Sequence, residues 1–313
     1  MTQTIQPTPA TVHWGYFDPT LAPIATIDPG ETIVMNSVSG TREQMPTDDG
    51  MTVRPELLAI QDAVTPELGP HIMTGPVAVR GAMPGDALRV EILDVQLADD
   101  WGYMLFKPGM GTLPDDFDWF RLVHIGLDRS KGLVKTPWGI TLQAKPFFGV
   151  MGVAPADRRA KSTMPAEFGG NLDNKELGAG SILYLPVWTE GGLFSCGDGH
   201  AVQGDGEVCV TAVETGLTGT FKIDLVKNAQ LEAPYAETGD HLITMAFDPD
   251  LDEAARVALR RMIAMIVART TLTSEEAYFL CSLSADVRVT QLVNLDKGIH
   301  VMMPLAILNQ AKR

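Results

Sequence analysis

The stretch Ser195-Cys196-Gly197-Asp198-Gly199-His200-Ala201-Val202-Gln203-Gly204-Asp205-Gly206-Glu207-Val208 holds the densest set of chemistry-bearing residues in the chain. Its glycines alternate with Asp198, His200, Asp205 and Glu207, so the backbone can close in while polar side chains converge. In extended backbone Asp198 and His200 share one face at i, i+2, and Gln203, Asp205 and Glu207 share one face at the same spacing. One imidazole among several carboxylates suits a divalent cation. Turn chemistry is the competing account: Asp-Gly and Gly-Asp pairs are common turn formers, and a single His among them is often only hydrogen-bonded structure.

Other segments offer partners. In Phe168-Gly169-Gly170-Asn171-Leu172-Asp173-Asn174, Asn171 and Asp173 can point to one side and complete a cation's oxygen shell, or Asn171 can hold a substrate amide. An Asx turn after Gly-Gly explains the same residues without a ligand. His71 sits between two Gly/Pro turns, where it can aim into a cleft or donate to a backbone carbonyl in the core. Glu43, in the loop Ser39–Gln44, is a candidate acid or base, against the commoner case of a solvated carboxylate. Cys281 falls in the apolar pattern of a helix, which leaves Cys196 as the better thiol candidate. Neither a G-x-S-x-G elbow, an H-E-x-x-H helix nor a P-loop motif occurs.

These residues need elements to carry them. Gly 30 and Pro 21 are spread along the 313 residues, which favours many short strands joined by tight turns. Pro29-Gly30 and Pro84-Gly85 each separate two β-prone runs, and Val90 and Ile92 alternate with polar neighbours as in a half-buried strand. Residues 99–138 read as irregular. Asp250 is placed to cap a helix with apolar residues at Ala255, Ala258, Leu259, Met262 and Ile266, and Thr273-Ser274-Glu275-Glu276 is a capping box for a second helix to about Leu283. Two strands follow, one with Val287, Val289, Gln291 and Val293 on a face and one over 299–303. The expectation is a mainly β protein with an α+β C-terminal part: a sandwich- or barrel-like body over 1–245, of one or two β subdomains, and an α+β subdomain with two adjacent helices over 246–313.

Composition narrows the function classes. The net charge is −15 and the 24 basic residues form no stripe, which argues against nucleic acid. Hydrophobic residues make up 45% and charged residues 20%, the balance of a chain with a full core. Three cysteines without CxxC spacing and an N-terminus without an export layout point to the cytoplasm. No apolar run approaches the roughly 20 residues of a membrane span.

Taken in order, Gly69-Pro70-His71, Gly81-Ala82-Met83-Pro84-Gly85-Asp86, Gly149-Val150-Met151-Gly152, Gly169-Gly170-Asn171-Leu172-Asp173, the Gly197–Cys209 run and Ser274-Glu275-Glu276-Ala277-Tyr278 resemble the acetamidase/formamidase family of amide hydrolases. The resemblance covers most of the chain and is weakest over 99–145. It implies hydrolysis of the C–N bond of a short linear amide, a divalent metal and a homo-oligomer, a dimer in the simplest case. A mechanism can be attached to it: Zn²⁺, or failing that Ca²⁺, bound by His200, Asp198 and Asp173 would activate water and polarise the carbonyl. Glu207, with Asp205, would carry protons. Asn171, Gln203, His71 and Glu43 would contact the substrate. A lactam or imide hydrolase on the same framework and a non-catalytic β module holding structural Ca²⁺ are the alternatives, and a thiol hydrolase using Cys196 is a third.

Overall fold

Pro29-Gly30, with Gly30 at φ 84, ends the strand Ala25–Ile27 and starts the strand Glu31–Asn36. The two strands do not pair. Ala25–Ile27 runs parallel to Ile72–Val79, whereas Glu31–Asn36 lies between Gln3–Ile5 and Leu217–Val226. The Pro84-Gly85 turn does the same between Ile72–Val79 and Ala87–Leu97, whose partners are Leu217–Val226 and Ile182–Pro186. Each turn passes the chain from one sheet to another, as a sandwich requires. The computed structural model describes residues 2–47 and 50–312, with a nine-stranded sheet, an eleven-stranded sheet and a two-stranded ribbon.

The two large sheets share one core. Ile33, Val90 and Phe221 of the first sheet pack with Met73, Phe148 and Phe194 of the second. The Phe221 ring lies 5.5 Å from Phe148 and 5.7 Å from Phe194 between centroids, so it interlocks the sheets. Burying such a side chain is worth about 1.5–3 kcal/mol.

The C-terminal elements extend the first sheet. His241–Asp248, Lys297–Pro304 and Asp286–Gln291 form its edge in that order. The helix Leu251–Arg269 is capped by the Asp250 side chain, which accepts from the Asp252 and Glu253 amides, and it turns Ala254, Ala258, Met262 and Ile266 onto Leu242 and Val301. The helix Ser274–Ser284 begins with Thr273 and Glu276 in a reciprocal capping box.

Residues 99–138 depart from expectation. Trp101–Phe106, Arg121–Asp128, Leu133–Lys135 and Thr141–Gln143 form an antiparallel ladder at the edge of the second sheet. Its two inner strands carry the alternation of half-buried strands, with Trp101, Tyr103, Leu105, Ile125 and Leu127 buried, and only the outermost strand Thr141–Gln143 is exposed throughout. Among the described residues no helix is long and apolar enough to cross a membrane.

Candidate functional site

The strand Phe194–His200 runs between Phe147–Gly152 and Ile72–Val79, and its end pairs with Glu214–Thr215. Its glycines are there for closeness: a Cβ on Gly197 would lie 2.3 Å from the Ile72 carbonyl oxygen. Asp198 adopts the left-handed φ of 56 within the strand, and its Oδ2 lies 3.4 Å from His200 Nε2. Asp173 and Glu207 are also left-handed, at φ 46 and 45. Three of the seven described non-glycine residues with positive φ therefore belong to one cluster, a concentration of backbone strain typical of functional sites.

Two further groups complete the cluster. Glu214 stands opposite His200 in the ladder, its Oε1 3.3 Å from Nε2. His71 places Nε2 3.7 Å from Asp198 Oδ2, and its Nδ1 is 3.0 Å from the Ser162 hydroxyl. Potential ligand atoms of Asp173, Asp198 and His200 all lie within 4.8 Å of one another, and so do those of His200, Glu207 and Glu214.

Four buried carboxylates face two imidazoles, and the charge is out of balance. Burial pushes Asp173 up to about 6, against the pull of His200. Burial likewise pushes Glu214 up to about 7. Burial and then the neighbouring Asp173 charge hold Glu207 well above the usual carboxylate range. Burial raises Asp198 too, but the imidazoles of His71 and His200 outweigh it and take the group below that range. His200 is lowered by burial, yet Glu214 and Asp198 carry it well above its ordinary value. Such a site is short of positive charge.

A divalent cation fits this shortage. Asp173 Oδ1 and both ring nitrogens of His200 are buried without a hydrogen-bond partner, because the nearby carboxylates are close but misaligned. The three side chains converge against the Gly149 backbone, where only the missing side chain leaves them space. A Cβ built on Gly149 would lie 2.7 Å from Asp198 Oδ2, 2.7 Å from His200 Cε1 and 2.8 Å from Asp173 Oδ1. Two carboxylates and one imidazole form a set that Zn²⁺ accepts.

A cavity of 150 Å³ opens beside the cluster. Its polar lining includes His71, Asn171, Asp198, Glu207, Glu214 and Lys107, and its apolar lining Ile72, Leu105, Met110 and Val210; Asn294 also lines it. Tyr103 lines it as well; burial and then the Glu214 charge keep its hydroxyl protonated, so it remains a donor.

The expected residues separate by where the fold places them. Asp173, Asp198, His200 and Glu207 meet in the cluster, while His71 and Asn171 line the cavity. Gln203 holds the frame instead of the cavity: its Nε2 donates to the Asp173 carbonyl at 2.8 Å. Asp205 and Glu43 need correction. The segment after His200 is not extended, and with Gly206 at φ 96 and Glu207 at φ 45 the shared face with Glu207 is lost. Asp205 instead pairs with Lys175 at 2.8 Å, outside the cluster. Glu43 lies exposed on the short 3-10 helix Arg42–Gln44, and its neighbours Gly40 and Gln44 line the cavity in its place. Cys196 is also corrected, since it is fully buried and burial pushes its thiol far up. Glu214, Tyr103 and Asn294 were missed. Only strand register brings Glu214 to His200, and nothing in its local sequence marks it.

Comparisons with known proteins agree with this architecture. Residues 2–162 and 156–310 match the model of the Acetamidase/Formamidase family. A formamidase of Methylophilus methylotrophus is 27% identical over 264 residues, 67% of this chain and 63% of that protein, so the match spans less than two thirds of the relative's length. The crystal structure of an acetamidase from Bacillus halodurans superposes with a TM-score of 0.86 at 30% identity, covering 98% of this chain and 99% of that one. A predicted acetamidase/formamidase from Thermoanaerobacter tengcongensis superposes with a TM-score of 0.88 at 25% identity, covering 99% and 98%. The match extends over both sheets, the C-terminal helices and the strands that carry the acidic cluster: the chain belongs to the acetamidase/formamidase family.

Proposed function

We propose that this protein hydrolyses the C–N bond of a short linear amide, releasing ammonia and a carboxylate, with a divalent cation, zinc by preference, held by Asp173, Asp198 and His200. One observation carries the reading: buried, unpartnered donor atoms of Asp173 and His200 converge with Asp198 on a gap beside a cavity. The amide class is supported by relatives named formamidase and acetamidase.

An amide resists attack because its nitrogen lone pair is delocalised into the carbonyl, so a catalyst must activate water, polarise the oxygen and protonate the departing nitrogen. The cation would supply positive charge for the first two tasks. Glu207, on the cavity wall, serves as the proton carrier: it takes a proton from water as the C–O bond forms and delivers it to nitrogen as the C–N bond breaks. Asn171 and Tyr103 offer uncharged hydrogen-bonding groups that orient the amide. The small cavity suits a small substrate. Exposed apolar side chains in the loops that join the edge-ladder strands, Trp119, Phe120, Trp138 and Ile140 among them, support a homodimer, and the free Cys196, Cys209 and Cys281 suit the reducing cytoplasm.

The test is ammonia release from formamide, acetamide, larger amides and a lactam, before and after chelation and on return of Zn²⁺. Activity that disappears with the cation and returns with it supports the reading. Undiminished turnover by fully cation-free protein sinks it, and preferential lactam turnover replaces the linear substrate.

A further inference from the structure

Asp173 carries a soft torsion. A carboxylate rotates about its last bond with a broad, roughly two-fold profile, so nothing in the side chain itself decides which oxygen faces the cluster. One contact decides it here. Asn294 Nδ2 donates to Asp173 Oδ2 at 2.9 Å, and Oδ1 is left buried, unpartnered and turned to the gap beside His200. An amide is well suited to this, because it donates a hydrogen bond without adding a positive charge that would compete with a cation. Lys175, two residues along the chain from Asp173, is engaged by Asp205 instead.

Asn294 is itself held. It lies in the turn between the strands Asp286–Gln291 and Lys297–Pro304. Gln291, fully buried, closes that turn: its Oε1 accepts from the Val293 and Asn294 amides at 3.0 and 3.0 Å, and its Nε2 donates to the Asp296 carbonyl at 2.7 Å. The same segment holds the backbone next to Glu207, since the Gly206 amide donates to the Thr290 carbonyl at 3.0 Å and the Leu292 amide donates to the Gly206 carbonyl at 3.0 Å.

We infer that Asn294 is a positioning residue that sets the orientation of Asp173 for cation binding, and that Gln291 supports it by fixing the 291–296 turn. The inference rests on the cation reading above and assigns the C-terminal hairpin a role in the site.

The test measures Zn²⁺ affinity of the full chain, stripped and titrated against a chelating dye, for wild type, Asn294→Leu, Asn294→Ala and Gln291→Ala. Asn294→Leu keeps the bulk and removes the donor. The expected result is a 10- to 100-fold weaker affinity for both Asn294 variants and a smaller loss for Gln291→Ala, about the loss known for partners of metal ligands. The cation-free melting temperature of at least one Asn294 variant should stay within a few degrees of wild type, and the kcat of the loaded enzyme should fall more than KM rises. Wild-type affinity in the folded Asn294 variants overturns this inference alone. Wild type without Zn²⁺ affinity overturns the cation reading and this inference with it. Should both Asn294 variants fail to fold, the Gln291→Ala affinity decides: an undiminished value refutes the inference, and a weakened one supports it.

Discussion

The spacing of Asp198 and His200 marks them as a pair, but regular alternation does not describe how they meet, because Asp198 is left-handed at φ 56 with its Oδ2 3.4 Å from His200 Nε2. Glu207 is visible as a carboxylate among glycines, but its partner changes. The left-handed turn at Gly206 and Glu207 sends Asp205 outward to Lys175, and strand register brings in Glu214, which no local pattern marks. Two outcomes belong at this scale. Glu207→Gln should lower kcat by about 10²- to 10⁴-fold while the protein still binds its cation, because the substitution removes proton transfer and little else; steady-state kinetics with metal analysis checks both halves. Gly149→Ala should abolish cation binding, since the new methyl group would lie within 2.8 Å of Asp173 and under 3 Å of Asp198 and His200. Zn²⁺ titration of a variant with a normal circular dichroism spectrum decides it.

Turns and caps are written locally, and strand partners are not. The Pro-Gly turns at 29–30 and 84–85 and both helix caps are legible because proline, glycine, aspartate and threonine act within a few residues. That the turns join strands of different sheets is a long-range fact with no signature at the turn. In the ladder over 101–143 the alternation at Trp101, Tyr103 and Leu105 and at Ile125 and Leu127 is there to be read, and only the exposed outer strand Thr141–Gln143 gives no such sign. Thr273→Ala should destabilise the protein by about 1 kcal/mol, the usual cost of losing an N-cap, because Thr273 accepts from the Glu276 amide and Glu276 returns the bond. Phe221→Ala should cost about 3–5 kcal/mol, since that ring touches aromatic partners across the sheet interface. Urea denaturation of the two variants separates these magnitudes.

Across the molecule, pH reports on the unbalanced charge. Burial lowers His13 and His300 to about 4, so their protonation in the unfolded chain costs stability as pH falls below the ordinary imidazole value of 6.5. Above that value both are neutral in either state. Glu214, raised to about 7, and the raised Glu207 and His200 then retain protons that the unfolded chain has released or is releasing. Stability from a raised group is lost as pH rises through its folded pKa, so the cation-free protein should become less stable from pH 6.5 to 8. The slope is about 1.4 kcal/mol per pH unit for each proton retained. Saturating Zn²⁺ should flatten it, which thermal melts at several pH values with and without the ion will show.

The brace from the last hairpin also imposes an order of events. Asp173 leaves the ribosome 121 residues ahead of Asn294. A metal ion arriving during translation would meet a carboxylate still free to spin, so productive loading belongs to the finished, released polypeptide rather than to the growing one.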